Sequence, residues 1–200
     1  MAEPPPLLEC AGPAEWEAWL AAHDESASGV RLKIAKAGAP KPTVAKKEAI
    51  DAALCHGWID GRSDRFDDHH FLIRFTPRAR RSPWSAINRE RAEQLIAEGR
   101  MRPAGLREIE RAKADGRWDA AYAPPSRAEP PDDLLAALEA NPAARAQFAA
   151  LDSANRYAIL YRLQDAKKPE TRAARLEKFV AMLERGETLH PPRKARGRNS

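Results

Sequence analysis

Long apolar runs are missing from this 200-residue sequence, although 43% of its residues are hydrophobic. The longest runs are only a few residues, whereas a helix that crosses a membrane needs about 20. The first ten residues, MAEPPPLLEC, also lack the basic and apolar regions of an export signal. We therefore expect a cytoplasmic protein with a buried core and without a membrane span.

Cysteine and histidine are scarce, with two and five copies. Cys10 and Cys55 form no CxxC pair, which argues against a disulfide framework or a zinc knuckle, and His69 and His70 make only a weak pair. We predict a buried Cys55, no metal and no cofactor. The motifs GxSxG, HExxH, GxGxxG and the Walker loop are missing too, which argues against the common enzymes that carry them.

The net charge of +5 is unevenly distributed. The last ten residues, PPRKARGRNS, carry four basic residues and no acid, so residues 1 to 190 are nearly neutral. We predict a disordered basic tail over 189–200, which could bind nucleic acid weakly and in a salt-dependent way. Residues 74–91 hold six arginines and one acid, so this segment is a candidate for anion binding.

Hydrophobic periods and helix caps predict an α+β fold: a small antiparallel sheet packed by helices, followed by a helical C-terminal subdomain. PAEWEAWLAAH reads as an amphipathic helix, GVRLKIAK as a half-buried strand, and Thr43 as the cap of a helix that Gly57 ends. Strands 58–66 and 70–76 flank the turn DDHH. The predicted divisions are an α+β domain 1–122, a proline-rich linker 123–133, a subdomain 134–188 with three helices, and the tail.

Within GWIDGRSDRF, alternation places Trp58, Asp60, Arg62, Asp64 and Phe66 on one face of a strand. If that face lines a cleft, Asp60 and Arg62 neighbour Arg74 across the hairpin. The alternative is an ordinary solvated cross-strand ion pair.

The following segment, FTPRARRSPWSAIN, fixes a helix start. A cap hydroxyl at Ser82 or Ser85, Pro83 in the first turn and Asn88 one turn on would form an anion site together with Arg78. The alternative is a well-capped surface helix on which Trp84 is a packing residue.

Several motifs together resemble the YdeI/OmpD-associated family of small bacterial proteins, also called bacteriocin-protection proteins. They include ALCHGWIDG, FTPRARRSPWSAINRERAEQLIAEGRM, AKADGRW and AKKPETRAARLEKFVAML, and the resemblance covers roughly residues 14 to 186. It implies a role in tolerance to antimicrobial peptides or related stress and an association with an outer-membrane porin, but no reaction. The matched motif residues are Trp58, Asp60, Pro77, Arg78, Ser82, Trp84, Ser85, Asn88, Lys167, Thr171, Arg172 and Arg175.

The resulting hypothesis is a stress-tolerance protein that binds an anionic small molecule or a protein partner. The cleft would lie between the GWIDG strand and the PRxxxSPWS helix start, with the TRxxR helix as a third wall. The predicted ligand-binding residues are Trp58, Asp60, Arg62, Arg74, Arg78, Ser82, Trp84, Ser85, Asn88, Lys167, Arg172 and Arg175. Two alternatives stay open: an enzyme with Asp60 as acid or base near His56, and a weak nucleic-acid binder that uses the basic tail.

Overall fold

The computed structural model describes residues 4–23 and 28–191. The chain divides between Ala121 and Tyr122 into two compact units, which we call the N-terminal and the C-terminal unit. The described residues form eight helices and one four-stranded sheet, which confirms the α+β class.

The sheet of the N-terminal unit is mixed. Its strands are β1 (Leu7–Glu9), β2 (Val30–Ala35), β3 (Trp58–Arg65) and β4 (His70–Pro77), in the order β1-β2-β4-β3. β2, β4 and β3 pair antiparallel as predicted, but β1 pairs parallel to β2. The prediction of an antiparallel sheet is therefore wrong at this edge, because a three-residue strand is too short to show an alternating pattern.

A β-bulge interrupts the hairpin. Asp60 pairs with Phe75, but Ser63 pairs with Ile73. Between these two pairs β3 has two residues and β4 has only one. The bulge shifts the following residues to the opposite face. The prediction that Trp58, Asp60, Arg62, Asp64 and Phe66 share one face is therefore wrong after the bulge. Asp60 pairs with Phe75 but Asp64 pairs with Leu72, on the opposite face of β4, so Arg62 and Asp64 leave the face of Trp58 and Asp60.

The helices of the N-terminal unit cover the sheet and one another. They are α1 (Pro13–Ala22), α2 (Lys46–Cys55), α3 (Ala86–Ala97) and α4 (Pro103–Ala114). Thr43 does not cap α2, because its hydroxyl accepts a hydrogen bond from the backbone of Ala35 instead. The Glu48 carboxylate accepts from the backbone N–H of Ala45, and α2 begins at Lys46.

Two apolar clusters hold the N-terminal unit together. One joins α1 and α2 to the sheet and includes Trp16, Trp58 and Phe75, all fully buried. The other joins α2, α3 and α4 and includes Trp84 and Trp118, whose rings meet edge to face at 4.8 Å. Both free cysteines are buried, Cys10 in the first cluster and Cys55 in the second, as predicted for Cys55.

The C-terminal unit contains four helices where three were predicted. They are α5 (Asp132–Ala140), α6 (Pro142–Ala150), α7 (Ser153–Gln164) and α8 (Pro169–Glu184). The chain stops and restarts at Asn141, whose side chain accepts from the backbone N–H of Ala144, and Pro142 occupies the first turn of α6. The sequence indicates starts of the three predicted helices at Asp133, Ser153 and Pro169. α7 and α8 begin at Ser153 and Pro169 as predicted, and α5 begins one residue earlier, at Asp132.

The segments that flank these four helices pack on them. Pro124 is buried, and the Tyr157 hydroxyl donates to the carbonyl of Ala123, so this proline-rich stretch belongs to the C-terminal unit. After α8, the backbone N–H of His190 donates to Asn155. The basic residues predicted to form a tail, Arg193 to Arg198, lie outside the described residues. Within residues 4–23 and 28–191, no helix is long and apolar enough to cross a membrane.

Candidate anion-binding site

Arg78 follows β4 and is held in one orientation. Its side chain is buried, with a residue exposure of 5%, and its guanidinium carbon lies 3.7 Å from the centre of the Trp84 ring. One guanidinium nitrogen donates to the carbonyl of Pro83 at 3.3 Å, and its backbone N–H donates to the carbonyl of Gly57 at 3.0 Å. Stacking on an indole and a hydrogen bond fix the orientation of the guanidinium.

The predicted polar residues of the next turn stabilise the turn itself. The Ser82 hydroxyl accepts from the backbone of Ala79, and the Ser82 carbonyl accepts from Arg117 at 2.7 Å. Ser85 is the cap of α3, because its hydroxyl accepts from the backbone N–H of Asn88 at 3.1 Å. The helix therefore begins after Ser85, and Pro83 lies in the preceding loop, which corrects the prediction of Pro83 in the first turn.

A cavity of about 210 Å³ lies beside Arg78, and we call it the arginine cavity. It is lined by His56, Gly57, Pro77, Arg78, Ala104, Arg107, Glu108 and Arg111. Three arginines, Arg78, Arg107 and Arg111, and one acid, Glu108, therefore line the same cavity. The excess of positive charge favours a negatively charged occupant.

The walls of the arginine cavity come from three elements. Gly57 ends α2 with φ at 75°, and a Cβ at this position would lie 3.1 Å from the carbonyl oxygen of Ala104. Glycine therefore permits both the left-handed turn and the close approach of α4. Arg107 and Arg111 lie one helical turn apart on α4, so their side chains leave the same face.

Glu108 is the single acid of the arginine cavity. Its carboxylate forms an ion pair with Arg111. The second carboxylate oxygen is buried and has no hydrogen-bond partner among the described residues. Glu108 therefore offsets part of the positive charge without filling the cavity.

A second cavity, of about 560 Å³, adjoins the first, and we call it the alanine groove. The two cavities share His56, Ala104 and Arg107. The other residues that line the groove are Ala14, Glu17, Ala18, Ala21, Arg102 and Pro103. The motifs in the sequence give no sign of this groove, because alanines at this spacing on α1 are also typical of ordinary helix packing.

The remaining residues predicted from β3 and β4 line neither of these two cavities. Trp58 is part of the core, with its ring 5.6 Å from that of Trp19. Asp60 is half-buried, and Arg74 is exposed. Arg62 is exposed and forms an ion pair with Asp64 at 2.8 Å. This pair is solvated, as in the alternative above, but both residues lie on β3, so it is not a cross-strand pair.

Two arginines of the segment 74–91 serve the fold. Arg91 donates two hydrogen bonds to the buried carboxylate of Asp51, at 2.7 and 2.6 Å, which joins α3 to α2. Arg89 donates to the carbonyl of Trp118 at 3.2 Å. The count of arginines in the sequence therefore overstated the charge that this segment offers to an anion.

The predicted basic residues of α8 belong to the C-terminal unit. Arg172 donates two hydrogen bonds to Asp133, at 2.7 and 2.8 Å, and a third to the carbonyl of Leu163. The Arg172 guanidinium lowers the pKa of the Asp133 carboxyl. Arg175 donates to the carbonyl of Arg162, and Lys167 is exposed. These two arginines join α8 to α5 and α7, and a role as a third wall stays a prediction.

The described ranges contain no group of three or more His, Cys, Asp or Glu side chains placed to hold a metal ion. His69 and His70 lie beside each other at the hairpin, where the backbone and imidazole of His70 both bond to Asp67.

Comparison with known families identifies both parts of the chain. A family described as a domain of unknown function, DUF8412, matches residues 8–108. A family described as bacteriocin-protection, YdeI or OmpD-associated matches residues 127–186. Neither the curated proteins nor the solved structures that were searched contain a match. GWIDG and PRxxxSPWS thus lie within the DUF8412 match, and TRxxR lies within the YdeI/OmpD-associated, bacteriocin-protection match. The chain belongs to the DUF8412 family, and its C-terminal part contains a YdeI/OmpD-associated, bacteriocin-protection domain.

Proposed function

We propose that the N-terminal unit binds a small molecule through a phosphate or carboxylate group, and that the arginine cavity is the binding site. The observation that carries this proposal is the placement of Arg78, Arg107 and Arg111 around one cavity with Glu108 as its single acid. This site differs from the cleft predicted from the sequence, because it includes Arg78 but not Trp58 or Asp60.

The environment of Arg78 supports strong binding of an anion. A buried guanidinium is less screened by water than an exposed one, so its hydrogen bonds to an anionic group are stronger. Because Trp84 and the Pro83 carbonyl already hold it in place, little side-chain entropy is lost when a ligand binds. Arg107 and Arg111 add two further donors from α4.

We base a proposal for the role in the cell on the YdeI/OmpD-associated, bacteriocin-protection match. A protein that binds an anionic compound fits a part in tolerance to antimicrobial or related stress, by sequestering or sensing that compound. A cytoplasmic location stays a prediction of the same kind.

Calorimetric titration with inorganic phosphate tests the proposal. We expect wild-type protein to bind phosphate and the variant Arg107→Ala to bind it about tenfold more weakly, since a hydrogen bond to a charged group contributes about 1.5 kcal/mol. Arg107 is the better first target, because replacing Arg78 also removes its stacking on Trp84. The matched control is Arg80→Ala, which removes an exposed arginine that does not line the cavity.

Two results would refute this assignment. One is the absence of any heat of binding from wild type up to millimolar phosphate. The other is an equal loss of affinity in Arg107→Ala and Arg80→Ala, because a diffuse surface charge would then explain the binding.

A further inference from the structure

We infer that the natural ligand is a soluble single-chain amphiphile, with its anionic head in the arginine cavity and its aliphatic chain in the alanine groove. This inference rests on the proposed function, since it takes the arginine cavity as the site of the head. Its structural basis is that the two cavities are adjacent, because His56, Ala104 and Arg107 line both of them.

The two sides of the alanine groove differ in chemistry. Arg107, which also lines the arginine cavity, lies on α4, whereas the wall formed by α1 consists of Ala14, Ala18 and Ala21 together with Glu17. These alanines are spaced by four and three residues, so they form one stripe along the helix. A ligand that extends from the arginine cavity along this stripe therefore meets carbon atoms.

Apart from Arg107, the charged residues that line the groove form an ion pair. Glu17 lies on α1 and Arg102 just before α4, with 3.7 Å between carboxylate and guanidinium. Because each partly neutralises the other, the groove has no second strong site for a charged group. This arrangement favours a ligand with one charged end over a ligand with charges at both ends.

The burial of Arg78 favours a free amphiphile over a lipid in a bilayer. Arg78 is only 5% exposed, so a head group must enter the cavity fully to reach the guanidinium. A head group held at a bilayer surface would have to leave that surface to do so.

A comparison of methyl phosphate with hexyl phosphate tests the inference, because the two monoesters carry the same head. Each fully buried methylene raises affinity about fourfold. Since the groove is open to water and buries only part of the chain, we expect hexyl phosphate to bind at least about tenfold more tightly than methyl phosphate.

A variant of α1 then locates the chain. Ala18→Asn puts a polar amide into the groove, and we expect it to abolish most of the advantage of hexyl phosphate while methyl phosphate binds as in wild type. Ala22→Asn is the matched control, because Ala22 is exposed on the same helix and does not line the groove, and it should keep the advantage.

The outcomes separate this inference from the proposed function. Equal affinities of methyl and hexyl phosphate would overturn the inference and leave the anion site intact, whereas no binding of either compound would overturn both. Equal effects of Ala18→Asn and Ala22→Asn would also overturn the inference, because the chain would then lie elsewhere. Sedimentation of the protein with vesicles of phosphatidic acid, without binding of hexyl phosphate, would assign a bilayer lipid instead and overturn the free amphiphile.

Discussion

Removal of Arg91 tests directly how α2 and α3 are held together. Asp51 is 5% exposed, and both of its carboxylate oxygens accept hydrogen bonds from Arg91. The hydrogen bonds that Arg91 donates to Asp51 raise the pKa of the Arg91 guanidinium, so Arg91 stays protonated over the whole accessible pH range. In Arg91→Ala the carboxylate of Asp51 would stay buried without its cation.

The structure sets the size of this effect. Removal of one partner from a buried ion pair costs about 3–5 kcal/mol. The side chain of Arg91 is 20% exposed, so water can reach part of the vacated space and the lower end of the range applies. We expect a loss of about 3 kcal/mol in the free energy of unfolding, which lowers the melting temperature by roughly 10 °C for a unit of this size.

Urea unfolding followed by tryptophan fluorescence measures the loss. Arg100→Ala is the matched control, because Arg100 is 41% exposed and its pair with Glu98 at 3.2 Å should contribute less than about 1 kcal/mol. Combining Arg91→Ala with Asp51→Asn should recover part of the stability, since no buried charge is left behind. Equal, small losses in Arg91→Ala and Arg100→Ala would refute the reasoning.

Three further predictions concern the two units separately. Gly105→Ala should destabilise the N-terminal unit by about 2 kcal/mol, measured by urea unfolding, because its Cβ would clash with the carbonyl oxygen of Cys55 and the gain in helix propensity is only about 1 kcal/mol. A more stable variant would contradict this packing. The pKa of Asp133 is lowered in the folded state, so its contribution to stability is present above the ordinary pKa of about 4 and is lost as pH falls below it. In Arg172→Gln the free energy of unfolding should depend less on pH below about 4 than in wild type. An unchanged pH dependence would show that the Asp133–Arg172 ion pair does not contribute to stability. Glu108→Gln should strengthen phosphate binding severalfold in calorimetry, because it removes the single negative charge of the cavity, and weaker binding would count against the electrostatic argument.

Local signals in the sequence predicted much of the fold. The alternation in GVRLKIAK predicted β2, and the pattern of PAEWEAWLAAH predicted the amphipathic helix α1, which buries Trp16 and Leu20. Gly57 was correctly identified as the end of α2, because a left-handed residue at that position leaves a recognisable sequence pattern. These features depend on neighbours within one or two turns, which is why periodicity and caps were sufficient.

The parts that sequence patterns missed depend on contacts between distant residues. Asp51 and Arg91 are 40 positions apart, and no local pattern distinguishes Arg91 from the exposed Arg80. The bulge in β3 likewise follows from pairing with β4 and cannot be seen in the alternation of β3 alone.

The candidate site was predicted in part. Arg78 was placed in it from the fixed turn after β4, and the helical spacing of Arg107 and Arg111 could have shown that they share a face. The sequence could not show that this face of α4 docks beside the end of α2, because that arrangement depends on the packing of Gly57 against Ala104.

A crystal soaked in tungstate, an electron-dense analogue of small oxyanions, tests the central claim most directly. The account predicts an anomalous peak inside the arginine cavity, within hydrogen-bond distance of Arg78 and of Arg107 or Arg111. A peak at the exposed Arg80 and Arg81 alone, or a cavity without a peak at saturating tungstate, would contradict it.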